Sequence, residues 1–128
     1  TRFLDATPES FVIYNGNNTM ILEAYSQGGD ERIGGVVSGA SHLVGDFVRD
    51  MIETFLAGKI SEAARMQRKL YPLIKALVQG GRCNPAPLQK DALRLLGVDA
   101  GLPRPPLLPA NPEELSVLRQ AMVTFGLL

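Results

Sequence analysis

Two short polar segments carry the residues best suited to bind a small ligand. Residues 15–18 read Asn-Gly-Asn-Asn, and residues 38–42 read Ser-Gly-Ala-Ser-His. In the first segment Gly16 lets the backbone approach a ligand closely, while three amides offer donors and acceptors near a predicted helix N-terminus. The small side chains of the second segment leave room for a bulkier group. Each segment could also be a turn that caps the following helix, and that is the simpler interpretation of both.

The sequence offers few other groups for catalysis. With one cysteine, Cys83, and one histidine, His42, it predicts neither a zinc site nor a Cys-His-Asp catalytic set. As a general base, His42 would need a nucleophile or an orienting carboxylate, which the sequence does not place beside it. No cofactor is expected. Four lysines fall on predicted helices or at their ends, not after a strand as a Schiff-base lysine would: Lys59, Lys69, Lys75 and Lys90.

Composition limits the class of protein. The 128 residues are 45% hydrophobic and 20% charged, which is typical of one globular unit. Thirteen Lys and Arg balance thirteen Asp and Glu, so no global field attracts nucleic acid or an anionic membrane. No apolar run approaches the roughly 20 residues of a membrane span, and a cytoplasmic location is expected. Because the chain begins at Thr1 rather than Met, we expect that an upstream segment has been removed.

The two polar segments follow two predicted strands. The apolar run Phe11–Tyr14 predicts a strand buried on both faces, and residues 35–38 predict a second. Between them Asn18 is expected to cap a helix that ends at residues 28–29, so that strand, helix and strand form one parallel crossover unit. Ser41 or His42 is expected to cap the next helix.

From residue 44 onward the apolar residues recur at helical spacing. The pattern predicts helices over 44–56, over 60–77 with a kink at Pro72, over 88–96, and after an Asn111 cap, with an extended proline-rich strap over 102–109. These helices should form an antiparallel layer whose inward residues are Val44, Phe47, Met51, Leu73, Leu77, Leu95, Leu118, Met122 and Phe125.

The order of these landmarks resembles the dihydrodipicolinate synthase / N-acetylneuraminate lyase family of class I pyruvate-dependent aldolases. Residues 11–18 resemble the end of the family's seventh strand, and residues 35–45 resemble its eighth strand and loop. Further matches follow in the same order at residues 56–59, 84–87 and 104–107. Asn17 and Asn18 depart from the family's acidic pair, Gly39 replaces a larger residue, and residues 30–33 look like an insertion.

The resemblance implies an α/β fold. The chain would hold the last two β/α units of a TIM (β/α)₈ barrel and a C-terminal helical region, and would therefore be mostly α. Residues 1–43 would supply the last two strands, and residues 44–128 the final barrel helix and the helical region. Since such a barrel takes about 250 residues, the chain would be the C-terminal portion of an enzyme.

The resemblance also implies a function. The parent enzyme would be a lyase of lysine biosynthesis that condenses pyruvate with aspartate semialdehyde through a lysine Schiff base. The family's catalytic lysine would precede Thr1, so the chain alone is expected to be inactive, with no catalytic residue of its own. Its partners would be the remaining barrel portion and, in a homo-oligomer, further copies of the protein.

The implied substrate-binding residues are Gly16, Asn17, Val37 and Ser38. Gly16 would present its backbone to the second substrate, and the main chain of Val37 would border the imine pocket. Tyr14 and His42 are rim candidates. Two alternatives stay open: a related 2-oxo-acid lyase with another aldol partner, and a non-catalytic helical assembly module.

Overall fold

The structure, a computed structural model, describes residues 2–128. Thr1, where the predicted barrel segment begins, lies outside the described residues. The chain is mostly helical with one small sheet, as the sequence predicted for the end of a TIM barrel and a following helical region. The elements are α1 (Arg2–Ala6), β1 (Ile13–Asn15), α2 (Ile21–Arg32), β2 (Ile33–Val36), α3 (Ser41–Leu56), α4 (Ile60–Leu77), α5 (Ala86–Leu95) and α6 (Pro112–Phe125).

The chain divides into two compact units, with the boundary between Arg68 and Lys69. The first unit contains α1–α3, both strands and the start of α4, and the second contains the remaining helices. The predicted boundary after residue 43 separates barrel strands from the helical region and is a different kind of division from these compact units. That boundary stays a prediction.

The two strands pair in parallel, joined by α2 as the predicted crossover unit. Ile13 lies opposite Ile33 and Asn15 lies opposite Val36, with an irregularity just after Ile13. Both strands differ in extent from the prediction: β1 begins at Ile13 rather than residue 11, and β2 begins at Ile33 rather than residue 35. The segment predicted as an insertion therefore completes α2 and starts the ladder, and the buried Ile33 side chain lies against Gly28 of α2.

The prediction that both faces of the strands are buried is wrong for this chain. Phe11 is 55% exposed, Tyr14 61% and Val37 69%. Within the described residues the sheet has only two strands. Such a sheet leaves unpaired edges and an uncovered face, so apolar side chains that a larger sheet would bury lie at the surface.

The predicted caps of α2 and α3 are also wrong. Met20 precedes α2 and Ala40 precedes α3, and neither helix has a side-chain cap. The Ser41 hydroxyl donates back to the Ser38 carbonyl instead. The sequence predicted that α2 ends at residues 28–29. The helix is instead only interrupted at Gly29, where φ is 60°, and continues to Arg32.

The N-terminal segment is held by Arg32, a contact that the sequence did not predict. The guanidinium donates from Nη2 to the Leu4 carbonyl at 3.1 Å and to Thr7 Oγ1 at 3.0 Å. Its Nε donates to the Phe11 carbonyl at 3.3 Å. One side chain at the end of α2 thus fixes α1 and the approach to β1.

The later helices occur within three residues of their predicted bounds, while the kink at Pro72 stays a prediction. Pro72 lies inside α4, and the strap over residues 102–109 contains no helix. A reciprocal pair of hydrogen bonds between Asn111 and Glu114 caps α6, and Gly126 ends it with φ of 100°. Six of the nine residues predicted to face inward are buried, while Phe47, Leu95 and Phe125 are only partly covered. The buried six are Val44, Met51, Leu73, Leu77, Leu118 and Met122.

Candidate functional site

The β1 loop, residues 15–20, is stiffened by its own asparagine side chains. Asn15 Nδ2 donates to the Asn17 carbonyl and Asn15 Oδ1 accepts from the Asn17 backbone N–H, both at 3.0 Å. Asn17 Oδ1 accepts from the Thr19 backbone N–H at 3.0 Å and from its hydroxyl at 2.8 Å. Such local bonds are why asparagine favours turns, and here they hold the loop without capping α2.

These bonds decide which group of Asn17 the loop offers to a ligand. Both donors of Thr19 occupy Oδ1, so Nδ2 is the group of this exposed amide without a hydrogen-bond partner in the described residues. A carboxylate at this position would present a negatively charged acceptor instead. The space beside Gly16 is open, since a Cβ built there would meet no atom within 4 Å.

A hollow of about 500 Å³ lies beside this loop. Tyr14, Gly16 and Asn17 line it together with Glu23 from α2 and Phe3 from α1. The structure therefore brings three of the six predicted site residues to one cavity. The volume is within the range of small-molecule sites.

The β2 loop, residues 37–40, begins beside the β1 loop. The Val37 backbone N–H donates to the Asn15 carbonyl at 2.9 Å, which extends the ladder one bond beyond β2. The main chain of Val37 thus lies against the first residue of the β1 loop, while its side chain is exposed. Two loops that follow parallel strands meet at one edge of the sheet, where α/β proteins bind ligands.

Ser38 points elsewhere. Its hydroxyl oxygen is buried without a hydrogen-bond partner in the described residues, and the residue lines a second hollow of about 340 Å³ beside Tyr25. Burial, and secondly the Asp30 carboxylate, raise the pKa of Tyr25. The Ser38 side chain therefore does not line the hollow beside the β1 loop, although its backbone directly follows Val37.

The remaining candidates do not line the first hollow. His42 is exposed in the first turn of α3. Lys69 and Lys75 lie on α4, Lys90 lies on α5, and Lys59 directly precedes α4. Within residues 2–128 no group of three His, Cys, Asp or Glu side chains could hold a metal ion. In the same part of the chain no helix has both the length and the apolar character needed to cross a membrane.

Sequence reasoning missed two sets of contacts that shape this site. Asn15 ties the β1 loop to itself and to Val37, and its place at the end of a strand could have signalled that role. Gln67 on α4 donates from Nε2 to the Asn18 carbonyl at 3.1 Å. No sequence pattern signals a contact between residues 49 positions apart.

Comparison with known proteins decides the family. A profile of the Dihydrodipicolinate synthetase family matches residues 1–124. The chain belongs to the dihydrodipicolinate synthetase family. The resemblance drawn from the sequence is thereby confirmed, and both loops of the candidate site fall within the matched range.

Members of the dihydrodipicolinate synthetase family with curated names are similar over most of the chain. The 4-hydroxy-tetrahydrodipicolinate synthase of Synechococcus elongatus is 41% identical over 120 residues, covering 94% of this chain and 38% of that protein. The enzyme of the same name from Heliobacterium modesticaldum is 44% identical over 117 residues, covering 91% and 37%. The chain thus spans about two fifths of the length of these relatives.

A solved structure of the family has the same fold over almost the whole chain. The crystal structure of the Cyanidioschyzon merolae dihydrodipicolinate synthase with lysine bound superposes with a TM-score of 0.86 at 40% identity. The match covers 99% of this chain and 41% of that one. The elements described above are therefore arranged as part of a dihydrodipicolinate synthetase fold.

Proposed function

We propose that the chain is the C-terminal part of a lyase that condenses pyruvate with aspartate semialdehyde through a lysine Schiff base, a step of lysine biosynthesis. The observation that carries the proposal is the 41% identity, over 94% of the chain, to an enzyme named 4-hydroxy-tetrahydrodipicolinate synthase. The meeting of two strand-end loops beside an open hollow supports it, because this is where barrel enzymes place their chemistry.

The reaction assigns the imine to another part of the barrel. A lysine amine would attack the keto carbon of pyruvate and expel its oxygen as water, which gives an imine. Loss of a proton from the pyruvate methyl carbon would give an enamine, whose carbon would attack the aldehyde while the aldehyde oxygen takes up a proton. Attack of the second substrate's amine on the imine carbon would then displace the lysine and close the ring. All four lysines of this chain lie on helices or directly before one, and none belongs to either loop. The chain's share of the work is therefore to bind and orient the substrates.

The two loops divide this work. The open backbone at Gly16 and the Nδ2 of Asn17 would contact the second substrate, and the main chain of Val37 would border the imine pocket. Tyr14, which lines the same hollow, would form part of the rim. Ser38 and His42 keep their proposed places beside the pocket, although the Ser38 hydroxyl and the His42 ring do not line this hollow.

The exposed apolar residues of the sheet support the proposal that further barrel strands are its partner. Phe11, Val12 and Tyr14 are 46–61% exposed, and burying them against further strands would stabilise both surfaces. We assign this face to the remaining barrel portion, with residues 1–43 supplying its last two strands. A homo-oligomer of the completed protein is part of the same proposal.

One observation favours a related lyase with a different aldol partner. Asn17 presents a neutral N–H donor where the resembled family has an acid, and such a donor suits a carboxylate or hydroxyl oxygen on the substrate. The alternative is thus a 2-oxo-acid lyase whose second substrate differs from aspartate semialdehyde. A non-catalytic assembly role has no comparable support.

An activity assay tests the proposal. The complete barrel protein that contains this chain is expected to consume pyruvate and aspartate semialdehyde together and to release the cyclic condensation product. Consumption of pyruvate with other aldehydes, but not with aspartate semialdehyde, would favour the alternative. No reaction with any aldehyde would contradict both candidates.

A further inference from the structure

The end of the β1 loop is fastened to a distant helix by one side chain. Gln67 Nε2, on the part of α4 that belongs to the first unit, donates to the Asn18 main-chain carbonyl at 3.1 Å. Among the described residues, no other group donates a hydrogen bond to the Asn18 carbonyl. Both residues are partly buried, so the bond is shielded from competing water.

The loop has a second external anchor at its other end. There the Val37 backbone N–H holds the Asn15 carbonyl at 2.9 Å. The hydrogen bonds of the Asn15 and Asn17 side chains, by contrast, all lie within the loop. The internal bonds fix the shape of the loop. The bonds at Asn15 and Asn18, together with the bond from the Ala24 N–H to the Met20 carbonyl at 3.1 Å where the loop enters α2, fix its position.

We propose that Gln67 is a positioning residue that sets the place of the Gly16 backbone and the Asn17 amide without touching substrate. The inference rests on the proposed function, in which this loop reads the second substrate. Binding geometry tolerates little error, since a displacement of about 1 Å can cost up to about a hundredfold in rate. Loss of the α4 anchor should therefore weaken use of the aldehyde and leave pyruvate unaffected.

The surroundings of Gln67 make a sharp variant available. Gln67 Oε1 and Asn18 Oδ1 are both buried without a hydrogen-bond partner in the described residues. Gln67→Met keeps the length of the side chain, removes the donor and also removes the unpaired Oε1. The variant leaves the Asn18 carbonyl unpaired but removes the unpaired Oε1, and because these two effects offset each other the stability of the protein should change little. Gln120→Met, at an exposed helical glutamine of α6, is the matched control.

Kinetics of the complete barrel protein give the first readout. Imine formation and aldol addition are separate half-reactions, so kcat/KM can be measured for each substrate independently. For Gln67→Met we expect kcat/KM for the aldehyde to fall by about tenfold. In the same variant, kcat/KM for pyruvate should stay within about twofold of the unaltered protein's value. For Gln120→Met, kcat/KM should stay within about twofold for both substrates. Unchanged values for both substrates, or an equal fall in both, would overturn the inference.

Amide hydrogen exchange on the full chain separates this inference from the proposed function. In Gln67→Met the backbone amides of residues 16–19 should exchange faster than in the unaltered chain, while those of α4 keep their protection. If the complete protein forms no pyruvate imine, the proposed function fails and the exchange result alone decides the role of Gln67. Equal exchange of residues 16–19 in the two proteins would overturn that role.

Discussion

Replacing Glu114 with Gln is expected to lower the free energy of unfolding by about 3 kcal/mol at neutral pH. Glu114 is only 7% exposed, and each of its carboxylate oxygens lies 2.7 Å from a nitrogen of Arg82. Oε2 also accepts from the Asn111 backbone N–H at 2.9 Å. A neutral amide would lose one acceptor and leave the Arg82 guanidinium without its counter-charge.

Arg82 makes this pair more than a local ion pair. Its Nη1 donates to the Leu108 carbonyl and its Nη2 to the Pro109 carbonyl, both at 2.8 Å. The guanidinium therefore joins the end of the proline-rich strap to the start of α6. Urea unfolding of Glu114→Gln measures the effect. Glu113→Gln is the control, because Glu113 is exposed and its substitution should lower the free energy of unfolding by about 0.5 kcal/mol or less. Equal, mild losses in the two variants would show that the pair does not stabilise the chain.

The same carboxylate predicts a pH dependence. Its hydrogen bonds with Arg82, and secondly with Asn111, lower the pKa of Glu114 from 4.5 to about 2. A group whose pKa is lower in the folded state stabilises the fold above its unfolded pKa, and loses that contribution as pH falls through the folded value. Unaltered protein should therefore lose stability relative to Glu114→Gln between about pH 4.5 and pH 2. A difference that stays constant over this range would contradict the assignment.

Leu118→Ala should cost about 2–5 kcal/mol, the second large effect. Leu118 on α6 is fully buried in the second unit, so its truncation loses transfer free energy and leaves a cavity. The adjacent Arg119 is exposed, and Arg119→Ala should change the free energy of unfolding by about 0.5 kcal/mol or less. Urea unfolding of both variants checks the difference, and similar values would mean that α6 does not bury this face. Phe47, which the sequence also placed inward, is a poorer probe because it is only partly covered.

How far the sequence predicts this structure depends on the range of the interactions involved. The cap of α6 could be predicted in full, because Asn111, Pro112 and Glu114 make their contacts within one turn. The caps of α2 and α3 could not. The Asn18 Oδ1 that was expected to cap α2 has no hydrogen-bond partner in the described residues, and the Ser41 hydroxyl donates to the Ser38 carbonyl rather than capping α3. Such side chains have several possible partners nearby, and the sequence does not choose among them.

The candidate site shows the same limit. Tyr14, Gly16 and Asn17 line one hollow, because residues at and after the end of a strand lie at the same edge of the sheet, and their role in binding substrate stays a prediction. Their long-range supports, Arg32 and Gln67, were missed, since each acts on backbone carbonyls more than 20 positions away that carry no sequence signature. The exposed apolar residues of the sheet were predicted to be buried, because a continuous apolar run indicates a strand that a larger sheet covers on both faces.

Borohydride trapping with pyruvate tests the central claim most directly, that this chain supplies substrate-binding loops to a lyase whose imine lysine lies elsewhere in the barrel. The complete protein is incubated with pyruvate, the imine is reduced to a stable amine, and the adduct is located by mass spectrometry of peptides. We predict an adduct on a lysine outside residues 1–128, and none when this chain is treated alone. A stable adduct on Lys59, Lys69, Lys75 or Lys90 would contradict the account.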